Sequence, residues 1–399
     1  MCKELLKHIK NLFKTQGWAF VLFMLVQLSV LWRYHVYIKD FFAILVLLFF
    51  FRKYVDKASL FIGLFSMFYT MIWLLSGASS SMFESLSYMI CPMAYYIFGK
   101  RCVLRGASTD DIVLFILCTI LTSSLFLYVL TVKDIAMYGL VTGDRSFAIL
   151  ENTTENGGLA ATLYGMVASF GIAGLAYPVL YGLRNNIKSW LFLLCGVCSL
   201  LVVLHLVNRT GLVLLALVLI LSILYRTQAQ PSTIIVTLLC VGVVYILLHS
   251  IGIMNTELFD AYATREENSD YGAATAGGRI ERWLWALEHL CSHPFGWYFD
   301  YSNQEYHYAH NLWLDVARCT GIIPFLLLVS ITIRQLATTI KLYRIKSNPF
   351  GGFIITMMII FLLQAGVEPT MEGMSTYFYL ICMLWGIQTA YFHQMGEME

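Results

Sequence analysis

The sequence predicts an all-α integral membrane protein with about 12 transmembrane helices and one large extracytoplasmic loop that carries short helices. Hydrophobic residues make up 59% of the 399 residues and charged residues only 13%, whereas an average soluble domain is about 25% charged. Apolar runs of about 17–25 residues recur between short basic connectors, and a helix of this length can cross a bilayer. We therefore expect residues 1–399 to form a single polytopic membrane domain.

The chain begins with a basic amphipathic segment, residues 1–16, in which Lys3, Lys7, Lys10 and Lys14 alternate with apolar side chains. No small-residue cleavage site follows the first apolar run, so the pattern is not that of a cleaved signal peptide. We expect this segment to stay on the cytoplasmic side.

The predicted spans are delimited by charged and turn-forming connectors. Most of the 26 Lys and Arg residues fall in connectors that a chain of about 12 spans places on the side of the N-terminus, and cytoplasmic loops carry such an excess. Both termini are therefore predicted to be cytoplasmic. The spans cover approximately residues 17–31, 37–51, 58–75, 82–98, 111–132, 157–181, 189–207, 210–225, 233–251, a stretch after His310 that ends near 334–344, 350–367 and 374–392.

The polar segment 252–310 is predicted to be an extracytoplasmic catalytic loop. Since nearly all the rest of the chain is apolar, aqueous chemistry is expected here. The orientation places on this face the side chains that we consider for the site, which are Arg209, Arg279, Arg282, His310 and Glu368.

Arg209 lies in the short break between the seventh and eighth predicted spans, next to Asn208. A charged residue at membrane depth costs about 2.5–3.5 kcal/mol on insertion scales and therefore marks a functional or paired position. Two interpretations remain open: an anion-binding arginine, and an arginine at a helix end whose head group extends to the interface.

Arg279 and Arg282 are three residues apart in the segment 279–290, whose apolar residues follow helical spacing. Both side chains can therefore lie on one helix face. The two preceding glycines let backbone N–H groups approach an anion at the helix start, and a guanidinium donates two parallel hydrogen bonds to a phosphate. The alternative is a solvated interfacial helix in which Glu281 and Glu288 pair with these arginines.

His310 is the candidate general base, because an imidazole titrates near neutrality and can accept a proton from a hydroxyl. A helix-capping or interfacial histidine is the alternative. His289 with His293, and His307 with His310, have the spacing of metal-ligand pairs. Neither pair is accompanied by the carboxylate or cysteine pattern of a zinc site, so no metal is predicted.

Glu368, next to Pro369 at the outer end of the eleventh span, is a candidate acid, base or arginine partner. Aromatic residues are dense around the loop, and Trp283 and Trp297 offer flat faces that suit a sugar ring. Interfacial belts collect such side chains in any case.

The order of several short motifs resembles that of the O-antigen ligase and polymerase family of bacterial envelope glycosyltransferases. The resemblance extends over residues 207–378, while the N-terminal half shares only a run of membrane spans. The motifs are Asn208-Arg209-Thr210-Gly211, Gly278-Arg279 with Trp283, His293-Pro294-Phe295-Gly296, and His310-Asn311 with Leu314, Gly321 and Ile322.

The resemblance implies transfer of a glycan from a polyprenyl pyrophosphate to a hydroxyl at the outer face of the bacterial cytoplasmic membrane. Arg209 and Arg279 would hold the pyrophosphate, with Arg282 as an alternative to Arg279, and His310 would activate the acceptor hydroxyl. Asn311 would lie near the glycan. The partners would be the lipid-linked donor, a glycan or lipid-core acceptor, the bilayer and a chain-length regulator protein.

The sequence thus predicts a metal-independent polymerase of lipid-linked oligosaccharide repeats for O-antigen or capsule, without a cofactor. A ligase of the same family, which transfers the glycan to a lipid core, is the nearest alternative. A transporter of lipid-linked glycans is the alternative from a different class, although its charges would be expected at the membrane midplane. Nucleic acid is not a predicted partner, because the basic residues form no extended patch.

Overall fold

The structure is a computed structural model that describes residues 2–30, 35–76, 82–105, 107–140, 147, 160–184, 186–228, 279–296, 308–345 and 349–396. Within these ranges every regular element is an α-helix, and we number the helices in chain order. They are α1 Cys2–Gln16, α2 Trp18–Leu28, α3 His35–Tyr54, α4 Lys57–Leu75, α5 Met82–Leu104, α6 Thr109–Tyr138, α7 Ala160–Gly174, α8 Ala176–Tyr181, α9 Ile187–His205, α10 Arg209–Arg226, α11 Arg279–Ser292, α12 Leu312–Thr320, α13 Ile322–Ile345, α14 Pro349–Val367 and α15 Thr370–Gly396.

Seven helical segments in the described part of the chain are long and apolar enough to cross a membrane, which agrees with an all-α membrane protein. They are α4, α6, the pair α7–α8, α9, α10, α13 and α14. The count of about 12 spans stays a prediction, since the predicted span 233–251 and most of the loop 252–310 lie outside the described residues.

Predicted spans 2, 4 and 12 are present as α3, α5 and α15, which are not among the seven. Helix α5 packs against α3, α4 and α15 inside one compact unit. Polar side chains are accommodated in such a bundle because they can find partners on neighbouring helices. Tyr95, Tyr96, Tyr377, Tyr379 and Trp385 are accordingly fully buried.

Unit 1 comprises residues 1–123, 279–346 and 365–399 and contains the α3, α4, α5 and α15 bundle. Two glycines let α5 and α15 approach closely. A Cβ on Gly99 would meet the carbonyl of Met383, and a Cβ on Gly386 would meet the carbonyl of Tyr96. Small residues at such crossings are the usual means by which membrane helices gain contact.

Unit 2 comprises residues 124–278 and 347–364. In its described part the buried His205 bonds to Asp134 through Nε2 and to the carbonyl of Leu140 through Nδ1, both at 2.8 Å. The hydroxyl of Tyr128 lies 2.8 Å from that of Ser199. These polar bonds join α6 to α9 within the unit.

The stretch after His310 differs from its prediction as one span, because Gly321 divides it into α12 and α13. Gly321 has φ 79°, and the next residue, Ile322, donates its N–H to the carbonyl of Pro294 at 2.9 Å. A helix cannot continue through a left-handed residue, so the chain changes direction there. The short α12, which follows His310, packs against the longer α13 within unit 1, and the indole N–H of Trp313 donates to the hydroxyl of Thr332 at 3.0 Å.

Candidate functional site

The candidate base His310 lies in a sharp turn that leads into α12. Its backbone φ is +51°, a left-handed conformation that few non-glycine residues adopt, although His is among those that do so most readily. The next residue, Asn311, caps the helix by accepting the N–H groups of Trp313 at 3.1 Å and Leu314 at 3.2 Å. Such conformations persist only where the surroundings hold them, and they cluster at functional sites.

The carboxylate of Asp315 holds this turn from inside. Its two oxygens accept the backbone N–H groups on either side of His310, that of Ala309 at 2.7 Å and that of Asn311 at 3.0 Å. Trp283 of α11 fixes the opposite edge of the turn by donating its indole N–H to the carbonyl of Ala309 at 2.8 Å. The backbone that carries the imidazole is therefore held by hydrogen bonds on both sides of His310.

Glu368 lies between a cation and the candidate base. One carboxylate oxygen accepts a hydrogen bond from Nη2 of Arg279 at 3.3 Å, and the other is 3.7 Å from Nδ1 of His310. The side chain of Glu368 is 5% exposed, and those of Arg279 and His310 are each 24% exposed. The carboxylate of Glu368 is thus buried, whereas Arg279 and His310 are partly accessible to a substrate from solvent.

The 3.7 Å approach between Glu368 and His310 is too long for a hydrogen bond. Neither the facing oxygen of Glu368 nor Nδ1 of His310 has a hydrogen-bond partner within the described residues. Catalytic hydrogen bonds are often long in unliganded enzymes and shorten when substrate binds. The pair therefore has the geometry of an unformed contact that a small rotation of the imidazole would complete.

The two segments that carry the site are tied together by Asn311. Its side-chain nitrogen donates to the carbonyl of Gly366 at 3.0 Å, two residues before Glu368. All the bonds of this amide join protein groups, so its role in the structure is to position the turn. The prediction that Asn311 also contacts a glycan remains untested.

The end of α11 is anchored to the break between α12 and α13. The carbonyl of Pro294 accepts the N–H of Ile322, and Gly321 lies so close to Pro294 that a Cβ there would meet its carbonyl. Beneath these contacts, Ala286, Leu290, Leu314 and Ala317 form a small buried core. The motif residues 293–296 thus serve to fix the helix that carries Arg279 against the helix that follows His310.

The two loop arginines differ in their surroundings. Arg279 is the first residue of α11 and forms the ion pair with Glu368, whereas Arg282 is partly exposed and has no ion pair within the described residues. Glu281 and Glu288, the alternative partners, are exposed. Trp297, Gly277 and Gly278 lie outside the described residues, and so does His307.

Arg209 belongs to unit 2 and is described there by itself. It is the first residue of α10, and Asn208 caps that helix by accepting the N–H of Gly211 at 3.0 Å. The residue before the cap, Val207, has φ +48°. The turn therefore repeats the local design at His310, a left-handed residue followed by an asparagine cap.

The sequence analysis missed Asp315 and Arg318. Asp315 is fully buried, and Arg318 lies 4.0 Å from it while its guanidinium stands 5.6 Å from the ring centre of Tyr308. Their spacing could have been used to predict that they interact, because two opposite charges three residues apart in an apolar stretch are each expected to need a partner.

No group of three or more His, Cys, Asp and Glu side chains in the described ranges is arranged to hold a metal ion. Comparison of the chain with models of protein families and with curated proteins finds no match. The described site consists of a partly exposed arginine and a partly exposed histidine, both next to a buried glutamate.

Proposed function

We propose that this chain is a glycosyltransferase that polymerises polyprenyl-pyrophosphate-linked oligosaccharide repeat units into a surface polysaccharide at the outer face of the bacterial cytoplasmic membrane. The observation that carries the proposal is the placement of Glu368 within ion-pair distance of both Arg279 and His310. The reaction requires a group that binds an anion and a group that accepts a proton. In the proposal these are Arg279 and His310, and both lie next to the buried carboxylate of Glu368.

In the proposed reaction the hydroxyl oxygen of the acceptor glycan attacks the anomeric carbon of the donor sugar. A new carbon–oxygen bond forms while the bond from that carbon to the pyrophosphate breaks, and polyprenyl pyrophosphate leaves with the electron pair. His310 takes the hydroxyl proton on Nε2, and the Glu368 carboxylate that faces Nδ1 stabilises the resulting imidazolium.

Arg279 compensates the charge of the leaving pyrophosphate. Its single hydrogen bond to Glu368 uses one of five guanidinium N–H donors, so the others can point to a phosphate. The bond to Glu368 also fixes the orientation of the guanidinium before substrate binds, which reduces the cost of ordering it. The sequence resemblance assigns Arg209 to pyrophosphate binding as well, with Arg282 as the alternative to Arg279.

The resemblance noted in the sequence adds support. Trp283, Pro294, Asn311 and Gly321 are residues of the shared motifs, and all four make contacts that hold Arg279, His310 and Glu368 in unit 1. Three of the four short motifs, between residues 278 and 322, thus contribute to one candidate site.

Polymerase activity is tested by supplying purified protein in detergent with a polyprenyl-pyrophosphate-linked repeat in the presence of a chelator. The proposal predicts a ladder of longer lipid-linked glycans. The single variant Arg279→Gln should shorten or abolish the ladder, and Arg344→Gln, which changes an exposed arginine at the end of α13, should not.

Other outcomes assign other functions. If the donor is not extended but is transferred once a lipid-core acceptor is added, the chain is a ligase. If neither acceptor is glycosylated while reconstituted vesicles move the intact donor across the bilayer, it is a transporter. Either result would contradict the polymerase proposal.

A further inference from the structure

The N-terminal helix α1 is held firmly against unit 1. The guanidinium of Arg101 bonds to the side-chain and backbone oxygens of Gln16, and Arg101 and Gln16 are both buried. Nδ1 of His8 lies 2.6 Å from a carboxylate oxygen of Asp111 at the start of α6. Helix α1 is therefore a fixed element, and the side chains on its outer face occupy defined positions.

A cavity of about 400 Å³ opens beside this helix, lined by Asn11, Lys14, Thr15, Arg105 and Asp111. Both oxygens of the Asp111 carboxylate already have partners, since one lies against His8 and the other accepts the N–H of Ser108 at 3.1 Å. Arg105 donates one hydrogen bond from Nη1 to the carbonyl of Thr15 at 2.8 Å. Lys14 has no ion pair or hydrogen bond of its side chain within the described residues.

The charges of the residues that line the cavity therefore favour an anion. Two cationic side chains face it, while its single carboxylate is engaged by the protein. A phosphate fits such a lining, because Arg and Lys provide charge and the Asn11 and Thr15 side chains provide further polar groups.

The surface of α1 indicates a membrane, and so a lipid headgroup as the source of a phosphate. Lys7, Lys10 and Lys14 are exposed and follow one another at helical spacing, so they form a basic stripe. Beside the stripe, Leu6 is 55% exposed and Phe13 is 49% exposed. A helix with a basic stripe next to exposed apolar side chains lies in the plane of a bilayer interface and is attracted to anionic lipids.

We propose that the cavity between α1, α5 and α6 binds the headgroup phosphate of an anionic phospholipid, with Lys14 and Arg105 as its cationic partners and Leu6 and Phe13 beside the acyl chains. The proposal is independent of the glycosyltransferase function. In this proposal, the binding of α1 to lipid headgroups fixes the depth of unit 1 in the bilayer.

The test measures the thermal unfolding midpoint of the full-length protein in detergent as phosphatidylglycerol or phosphatidylcholine with the same acyl chains is added. Phosphatidylglycerol should raise the midpoint in a saturable way and phosphatidylcholine should not. Each charge removed from such a site is expected to weaken binding about fivefold, so Lys14→Gln with Arg105→Gln should weaken it about 25-fold.

Two controls make the result specific. Lys341→Gln with Arg344→Gln removes the same charge from exposed positions on α13 and should leave lipid binding unchanged. Lys14→Gln alone leaves every hydrogen bond of α1 that is described here in place, so its weaker binding cannot be caused by loss of the fold. Equal stabilisation of wild type and the double variant, or by both lipids, would overturn the proposal, and equal stabilisation by inorganic phosphate alone would overturn the lipid assignment.

Discussion

The side-chain amide of Asn311 donates to the carbonyl of Gly366 at 3.0 Å and so joins the turn that carries His310 to the segment that carries Glu368. The same side chain caps α12 through its oxygen. One residue thus sets both the start of a helix and the distance between two proposed catalytic groups. Its capping and tethering roles can be separated by substitution.

Asn311→Ala removes both roles and should lower the free energy of unfolding by about 1–2 kcal/mol, the usual effect of losing a helix cap and a hydrogen bond. Asn311→Asp keeps the acceptor for the helix N–H groups but loses the donor to Gly366. We expect it to retain most of the stability and yet lose turnover, measured as a lower kcat for glycan elongation.

Asn186→Ala is the matched control for the cap. Asn186 accepts the N–H groups of Lys188 and Ser189 at the start of α9 in the same manner. It should reproduce the stability loss without a fall in turnover. Full activity in Asn311→Asp would contradict the tethering role.

The two loop arginines should contribute unequally. Arg279 is oriented by its ion pair with Glu368, whereas Arg282 has no such support among the described residues. We expect Arg279→Gln to reduce kcat/KM for the lipid-linked donor by at least tenfold and Arg282→Gln to reduce it less. Glu368→Gln should weaken the effect of Arg279→Gln in a double-mutant cycle, because the two side chains interact. A larger effect of Arg282→Gln would reverse the assignment.

Gly321→Ala should destabilise unit 1 strongly. A non-glycine residue with the backbone conformation of Gly321, φ 79° and ψ −162°, costs about 1–3 kcal/mol, and here the added Cβ would also meet the carbonyl of Pro294. Gly17 has φ 59° with nothing near its Cβ position, so Gly17→Ala reports the conformational cost alone. Comparison of the two thermal midpoints gives the contribution of the contact with Pro294. Equal midpoints would contradict the anchoring role of that contact.

The Asp56–Lys100 ion pair should make stability depend on acidity. Burial by itself raises the pKa of Asp56, but the hydrogen bond from Lys100 and that from the N–H of Ser59 outweigh it, and the pKa is lowered from 3.8. The pair, at 2.6 Å, therefore stabilises the folded state above pH 3.8, and this contribution is lost as the pH falls through the lowered value.

Thermal midpoints measured between about pH 6 and 3 should therefore fall less steeply for Asp56→Asn than for wild type. The two curves should begin to converge at about pH 4, near the ordinary pKa of an Asp carboxyl. Glu288→Gln, at an exposed position on α11, should follow the wild-type curve. Parallel curves for wild type and Asp56→Asn would contradict a stabilising pair.

Much of the helical architecture could be predicted from the sequence, because apolar runs and basic connectors carry the necessary signal. The predicted segment 279–290 is the helix Arg279–Ser292, and the predicted span 350–367 is the helix Pro349–Val367. The break at Gly321 could not be predicted, since the reason for it is a contact with Pro294, which is distant in sequence. A local pattern does not contain such a contact.

The candidate site was predicted in its components but not in its arrangement. Arg279, His310 and Glu368 were singled out because charged and titratable residues are rare in this chain. That Glu368 lies between the other two, and that Asp315 fixes the turn, depends on side-chain geometry that spacing does not encode. The assignment of Asn311 to the glycan stays a prediction, whereas the hydrogen bond from its amide to the carbonyl of Gly366 was not predicted.

The most direct test of the account is glycan elongation by His310→Asn. Asparagine tolerates the left-handed backbone that residue 310 requires but has no titrating group, so the fold should be kept while the proton acceptor is lost. His393→Asn, at an exposed position near the end of α15, is the matched control.

With the lipid-linked repeat as both donor and acceptor, we expect His310→Asn to bind the donor as wild type does and to elongate it about 10²–10⁴-fold more slowly, with His393→Asn unaffected. Elongation by His310→Asn at the wild-type rate would show that His310 is not the base and would contradict the central claim.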